Sequence, residues 1–119
     1  MSEEMAVGAF KKMLSNFTRD EKNRKRFSSW NKSMAVTFND LNKTFVSQVV
    51  GGIPGEPELK QIEQADIWIK IDAPTWIGIM KCEVSGMKAY TSGKLKIKGA
   101  MTDLLKLQKL MGGESDVPT

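Results

Sequence analysis

From Ser92 to Gly99 the chain reads S-G-K-L-K-I-K-G, and an apolar segment from Met101 to Met111 follows at once. Side chains change face at every residue of a strand. Leu95 and Ile97 therefore point one way and Lys94, Lys96 and Lys98 the other, giving a strand with one buried and one wet face. Gly93 and Gly99 bound it. A strand of this kind needs a layer to cover its apolar side, and the next segment is too apolar to be an ordinary surface helix.

On a helical wheel, Met101, Leu104, Leu105, Leu107, Leu110 and Met111 occupy an arc of roughly 220° at 3.6 residues per turn. The polar side holds only Thr102, Asp103, Lys106 and Lys109. A helix lying on a core needs an apolar stripe of about 100° or somewhat more. The surplus must face a second layer, a partner chain or an apolar ligand. Gln108 projects near the middle of the arc. A buried amide without partners costs ~1–3 kcal/mol. The preferred reading is a bond to nearby backbone; the alternative is a polar contact to a ligand head group or a water.

Upstream, Met5, Ala6, Ala9, Phe10, Met13, Leu14 and Phe17 share one helix face. Thr18-Arg19-Asp20-Glu21 has the form of a capping box, predicting a second helix after Thr18 that runs to about Trp30. Met34, Val36 and Phe38, then Phe45, Ser47 and Val49, alternate on either side of Asn39–Asn42, as in a β-hairpin. Residues 51–57 are predicted to be the least ordered stretch, and 58–64 a short edge strand. Ile67, Ile69 and Ile71 mark a firm strand. Pro74 opens a helix whose apolar stripe is Trp76, Ile77 and Met80. A short helix over 86–90 precedes the Gly93 strand. The pattern is two helices, three or four strands, two short helices, a strand and a helix, so the expected fold class is α+β, with helices over one face of a mostly antiparallel sheet.

The 119 residues suit a single domain, with N-terminal helices over 1–33 and a flexible tail over 112–119. The chain has no histidine and one cysteine, Cys82. That removes histidine general bases, Ser-His and Cys-His nucleophile pairs, internal disulfides and the usual zinc sites. No phosphate-binding glycine loop or calcium loop is present. Cys82 reads as a small structural residue. No apolar run approaches the roughly 20 residues of a membrane span, and the acidic N-terminus does not read as a signal peptide. The expected location is the cytoplasm.

Lys22-Asn23-Arg24-Lys25-Arg26 is the densest basic cluster. It reads as a solvated helix face, with transient contact to anionic membrane as the alternative. Nucleic acid is not expected as a partner, because no aromatics interleave with the lysines of the Gly93 strand.

The Ser92–Met101 stretch followed by Leu104-Leu105-Lys106-Leu107-Gln108 resembles the signature of the sterol carrier protein type 2 domain, a G-K-L-x-I-x-G strand leading into a K-L-Q helix. Ala65-Asp66-Ile67-Trp68-Ile69-Lys70-Ile71, Pro74-Thr75-Trp76 and Gly86–Tyr90 are similar to the segments before it. The resemblance implies a five-stranded, mostly antiparallel sheet with helices on one face and an apolar tunnel between them, closed on one side by the C-terminal helix. It also implies a non-catalytic carrier of a fatty acid, fatty acyl-CoA, phospholipid or sterol-like lipid, with no cofactor, no metal and no catalytic residues. The expected ligand-binding residues are Ile69, Trp76, Ile77, Met80, Ile97, Met101, Leu104, Leu105, Gln108 and Met111. The competing reading is an accessory domain that gives apolar surface to an enzyme or to its own homodimer, without lipid transport.

Overall fold

The computed structural model describes residues 2–100 and 102–103. Helix α1 (Ser2–Ser15) has Glu3 and Glu4 in its first turn and Lys12 in its last, complementing the helix dipole. It buries Ala6, Phe10, Met13 and Leu14. The sequence places Met5 on the same face, but it is 48% exposed, because it lines an open groove instead of packing in the core. A 3₁₀ turn, Asn16–Thr18, carries Phe17 into the core.

The second helix, α2 (Glu21–Arg26), departs from expectation at both ends. Its N-cap is Asp20, whose carboxylate accepts from the Asn23 N–H at 2.9 Å; Thr18 closes the 3₁₀ turn instead. Burying Phe17 requires that turn to continue through Thr18, which postpones the cap by two residues. The cap bond to Asn23 holds the Asp20 carboxyl below its ordinary value of 3.8, with Arg19 and Lys22 adding to the effect. The helix stops at Arg26. The Trp30 N–H then donates to the Phe27 carbonyl at 2.9 Å, folding Trp30 back onto Phe17 and Phe27 at centroid distances of 5.5 and 5.0 Å.

Strands β1 (Lys32–Phe38) and β2 (Lys43–Val50) form the hairpin, with Val36 opposite Phe45. On the far edge of β2 sit two short pieces, β3 (Ile53–Pro54) and β4 (Glu58–Leu59). Strand β5 (Ile67–Ile71) lies parallel to β1, and β6 (Lys96–Lys98) is antiparallel to β5. The order is β3-β2-β1-β5-β6, with β4 also on β2, so the sheet is six-stranded and mixed. Among the described pairings only β1–β5 is parallel.

The 51–57 stretch is pinned, contrary to expectation. The Gly51 N–H donates to Asn31 Oδ1 (2.8 Å), that of Gly52 to the Trp30 carbonyl (3.0 Å) and that of Gly55 to the Gln48 carbonyl (2.8 Å). The signature strand is shorter than its alternation predicts. The N–H groups of Lys94 and Leu95 both donate to the Ala89 carbonyl at the end of the preceding helix, so ladder pairing begins only at Lys96. Leu95 is nevertheless buried, Ile97 half-buried, and the three lysines exposed.

The register puts Met34, Val36, Phe38, Phe45, Ile67, Ile69, Ile71 and Ile97 on one face of the sheet. Helices α1 and α3 (Ala73–Met80) cover it. Asp72 caps α3, accepting from the Thr75 N–H at 3.0 Å and from its hydroxyl at 2.8 Å. The buried stripe of α3 is Ala73, Trp76, Ile79 and Met80, while Ile77 stands half-buried at its flank. Helix α4 (Gly86–Thr91) leads into β6. On the outer face Trp68 Nε1 donates to Thr37 Oγ1 at 2.8 Å, with the Lys70 ammonium 4.9 Å from the Trp68 ring centroid. Asp103, assigned to the polar side of the wheel, is buried and meets Lys32 Nζ at 2.9 Å. Except for Thr102 and Asp103, the terminal helix lies outside the described residues, as does the tail over 112–119.

Candidate functional site

Helix α1 presents Met5, Gly8, Ala9 and Lys12 along one face, at the i, i+3, i+4, i+7 spacing that stacks side chains. Helix α3 presents Ile77 and Met80 by the same rule, and its C-cap residue Lys81 completes that wall. The two faces meet in a groove of about 230 Å³. Gly8 leaves the α1 wall of the groove without a side chain. A Cβ built at Gly8 would touch nothing within 4 Å.

At ~30 Å³ per water of liquid volume, the groove has room for about eight waters, or for a segment of an acyl chain but not a whole lipid. Its walls are apolar apart from Lys12 and Lys81. Both lysines are exposed. Their ammonium groups give the rim a positive field, while their methylene stems extend the apolar wall.

Below the groove the two helices meet through rings. Phe10 of α1 and Phe38 of β1 each stand edge-on to Trp76 of α3, with centroids 6.4 Å apart in both pairs. The indole is fully buried. Its Nε1–H has no hydrogen-bond partner among the described residues.

Of the residues nominated from the sequence, the structure brings Ile77 and Met80 into this groove. Trp76 and Ile69 are fully buried in the core, and Ile97 packs half-buried against it, opposite Ile69. Met101, Leu104, Leu105, Gln108 and Met111 lie outside the described residues. The sequence reading missed Gly8, Lys12 and Lys81. The available signal was the spacing itself: Gly8 interrupts the face that Met5, Ala9 and Lys12 define. Cys82 sits exposed in the turn after α3, at a positive φ of 63°. Among the described residues no group of three His, Cys, Asp or Glu is placed to hold a metal ion. No helix among them is long and apolar enough to cross a membrane.

The profile of the SCP-2 sterol transfer family matches residues 10–112. Hydroxysteroid dehydrogenase-like protein 2 of Xenopus tropicalis is 40% identical over 63 residues, covering 52% of this chain and 14% of that protein. The chain thus matches only a small part of its curated relative's length. The crystal structure of sterol carrier protein 2 superposes with a TM-score of 0.61 at 19% identity, covering 92% of this chain and 88% of that one. The inverting sec-alkylsulfatase Pisa1 from Pseudomonas sp. superposes with a TM-score of 0.61 at 18% identity, covering 74% of this chain and 14% of the enzyme. At these identities the structural likeness is one of fold.

Proposed function

The chain belongs to the SCP-2 sterol transfer family, whose domains bind apolar lipids, and we propose that it is a non-catalytic carrier of a fatty acid, fatty acyl-CoA, phospholipid or sterol-like lipid. The observation that carries this reading is the α1–α3 groove, apolar within and cationic at its rim. In this reading the groove is one end of the site, and Ile69, Trp76 and Ile97 continue it between helices and sheet. Met101, Leu104, Leu105, Gln108 and Met111 would line it from the terminal helix. The carrier would work in the cytoplasm, touching anionic membrane transiently through its basic N-terminal helices.

The energetics suit such a task. Burying about fifteen methylenes at ~0.8 kcal/mol each gives roughly 12 kcal/mol gross. Lost ligand freedom removes a large part of it. The remainder corresponds to micromolar or tighter binding without any special polar contact, and to modest selectivity for chain length.

The coverage of 14% of the alkylsulfatase and of the dehydrogenase-like protein favours one second reading. In it the fold is an accessory domain that lends apolar surface to an enzyme or to a homodimer. Native mass spectrometry of freshly purified protein, followed by lipid extraction and displacement of a fluorescent fatty-acid analogue, separates the two. Co-purifying lipid and micromolar displacement are expected. If no amphipath binds below the millimolar range, the carrier reading fails and the accessory reading leads.

A further inference from the structure

Trp76 poses a chemical problem that the carrier reading does not by itself resolve. Its indole is fully buried between Phe10 and Phe38, and its Nε1–H is unpartnered among the described residues. Three other buried or half-buried polar groups among the described residues are satisfied. Ser47 Oγ donates to the Gly55 carbonyl at 2.8 Å, Asn23 Nδ2 to the Asn16 carbonyl at 2.7 Å, and Trp68 Nε1 to Thr37 Oγ1 at 2.8 Å. An unpaired buried donor has given up its bonds to water for nothing. A phenylalanine would keep the ring contacts to Phe10 and Phe38 without that penalty.

The location points to the ligand. Ala9 and Ile77, which line the groove, are the chain neighbours of Phe10 and Trp76. Met80, also in the groove wall, stands one helical turn after Trp76. Groove and indole therefore share the α1–α3 junction. The donor is single and neutral, and its ring neighbours are aromatic. The groove's cations, Lys12 and Lys81, stay at the exposed rim. A carboxylate brought to the indole would lose its hydration for one hydrogen bond and no counter-charge. A hydroxyl, ketone or ester carbonyl would lose far less.

Resting on the carrier reading above, we propose that the Trp76 Nε1–H is the polar recognition element of the lipid site. It donates to an uncharged oxygen at the buried end of the lipid, and so selects such lipids over hydrocarbons and over carboxylates entering head first. Anionic ends stay outside, beside Lys12 and Lys81.

The test uses the full, delipidated, ¹⁵N-labelled chain with 1-dodecanol, dodecane and dodecanoate, each also titrated against a fluorescent acyl probe. The Trp76 indole resonance is assigned with Trp76→Phe or, where that variant does not fold, by through-space contacts to the Phe10 and Phe38 rings. Dodecanol should move the Trp76 indole proton downfield and slow its exchange; dodecane should do neither. Dodecanol should bind about tenfold tighter than dodecane, and Trp76→Phe should close that gap to under twofold. A resonance that stays put while dodecanol displaces the probe overturns the proposal and leaves the carrier reading standing. So does a proton already hydrogen-bonded in the delipidated protein, or a clear preference for dodecanoate at this indole. If no lipid displaces the probe, the carrier reading itself falls.

Discussion

Filling the groove from the α1 side should separate binding from stability. Gly8 lies inside α1 and lines the groove, and a Cβ added there meets nothing within 4 Å. Replacing an interior helix glycine by leucine removes a penalty of ~0.5–1 kcal/mol. For a domain of this size that raises the melting temperature by about 4 °C. The new side chain leans toward the helix N-terminus, over Met5, and so stays within the groove. Its four carbons occupy space that about four lipid methylenes would otherwise fill. At ~0.8 kcal/mol per methylene the loss is about 3 kcal/mol, or roughly a hundredfold in affinity. Gly8→Ala supplies the control: the same helix gain with one carbon in the groove, and an affinity loss of about fourfold or less. Probe-displacement titrations and thermal melts of both variants give the readout. If Gly8→Leu melts higher and binds lipid as the parent does, the groove is not part of the ligand site.

Gly52→Ala should destabilise by about 3 kcal/mol or more, because φ is +79° and the added Cβ would lie 2.3 Å from the Phe27 carbonyl oxygen. Gly51→Ala should lose only ~1 kcal/mol, since its φ of +60° is strained but the nearest atom is 4.0 Å away; equal urea midpoints for the two would refute the packing argument. Asp20→Ala removes the α2 cap, and because the native carboxyl titrates below its ordinary value, the stability it contributes is present above that value and lost as pH falls through the lowered one. Its melting point should therefore trail the parent's at pH 7 and converge with it at strongly acidic pH. A double-mutant cycle on Lys32→Ala and Asp103→Ala should give a coupling of about 1.5–3 kcal/mol that resists added salt; a coupling near zero would class the pair with exposed ones.

What the chain discloses about its fold follows from how local each signal is. Ile67, Ile69 and Ile71 alternate with Trp68 and Lys70, and that alone fixes a strand with one buried face. It does not fix whether the strand runs parallel or antiparallel to its neighbour, because the two-residue period is the same in both. The β1–β5 pair is parallel for topological reasons that no window of sequence contains. The position of the N-cap is hidden from the sequence for a similar reason. Thr18 and Asp20 are both good cap residues, and the choice was made by Phe17, whose burial in the core extends the 3₁₀ turn. At Lys94 and Leu95 the alternation is real, but the helix before them claims their N–H groups.

The site is harder to read, and the reason is chemical. A catalytic or metal site needs residues of particular types, so it leaves a motif. An apolar groove needs only that two helix faces diverge, and divergence belongs to a pair of helices. Ile77 and Met80 could be nominated because apolar spacing marks any helix face. Gly8 could not, since its contribution is a side chain it lacks, and the space appears only when α3 is laid beside α1. Lys12 and Lys81 stand far apart in sequence and become a cationic rim by the same juxtaposition. Trp76 lies between these cases. Its burial was legible from the stripe it heads, but the lack of a partner for its Nε1–H among the described residues was not, because a missing bond shows only once the packed neighbours are in place.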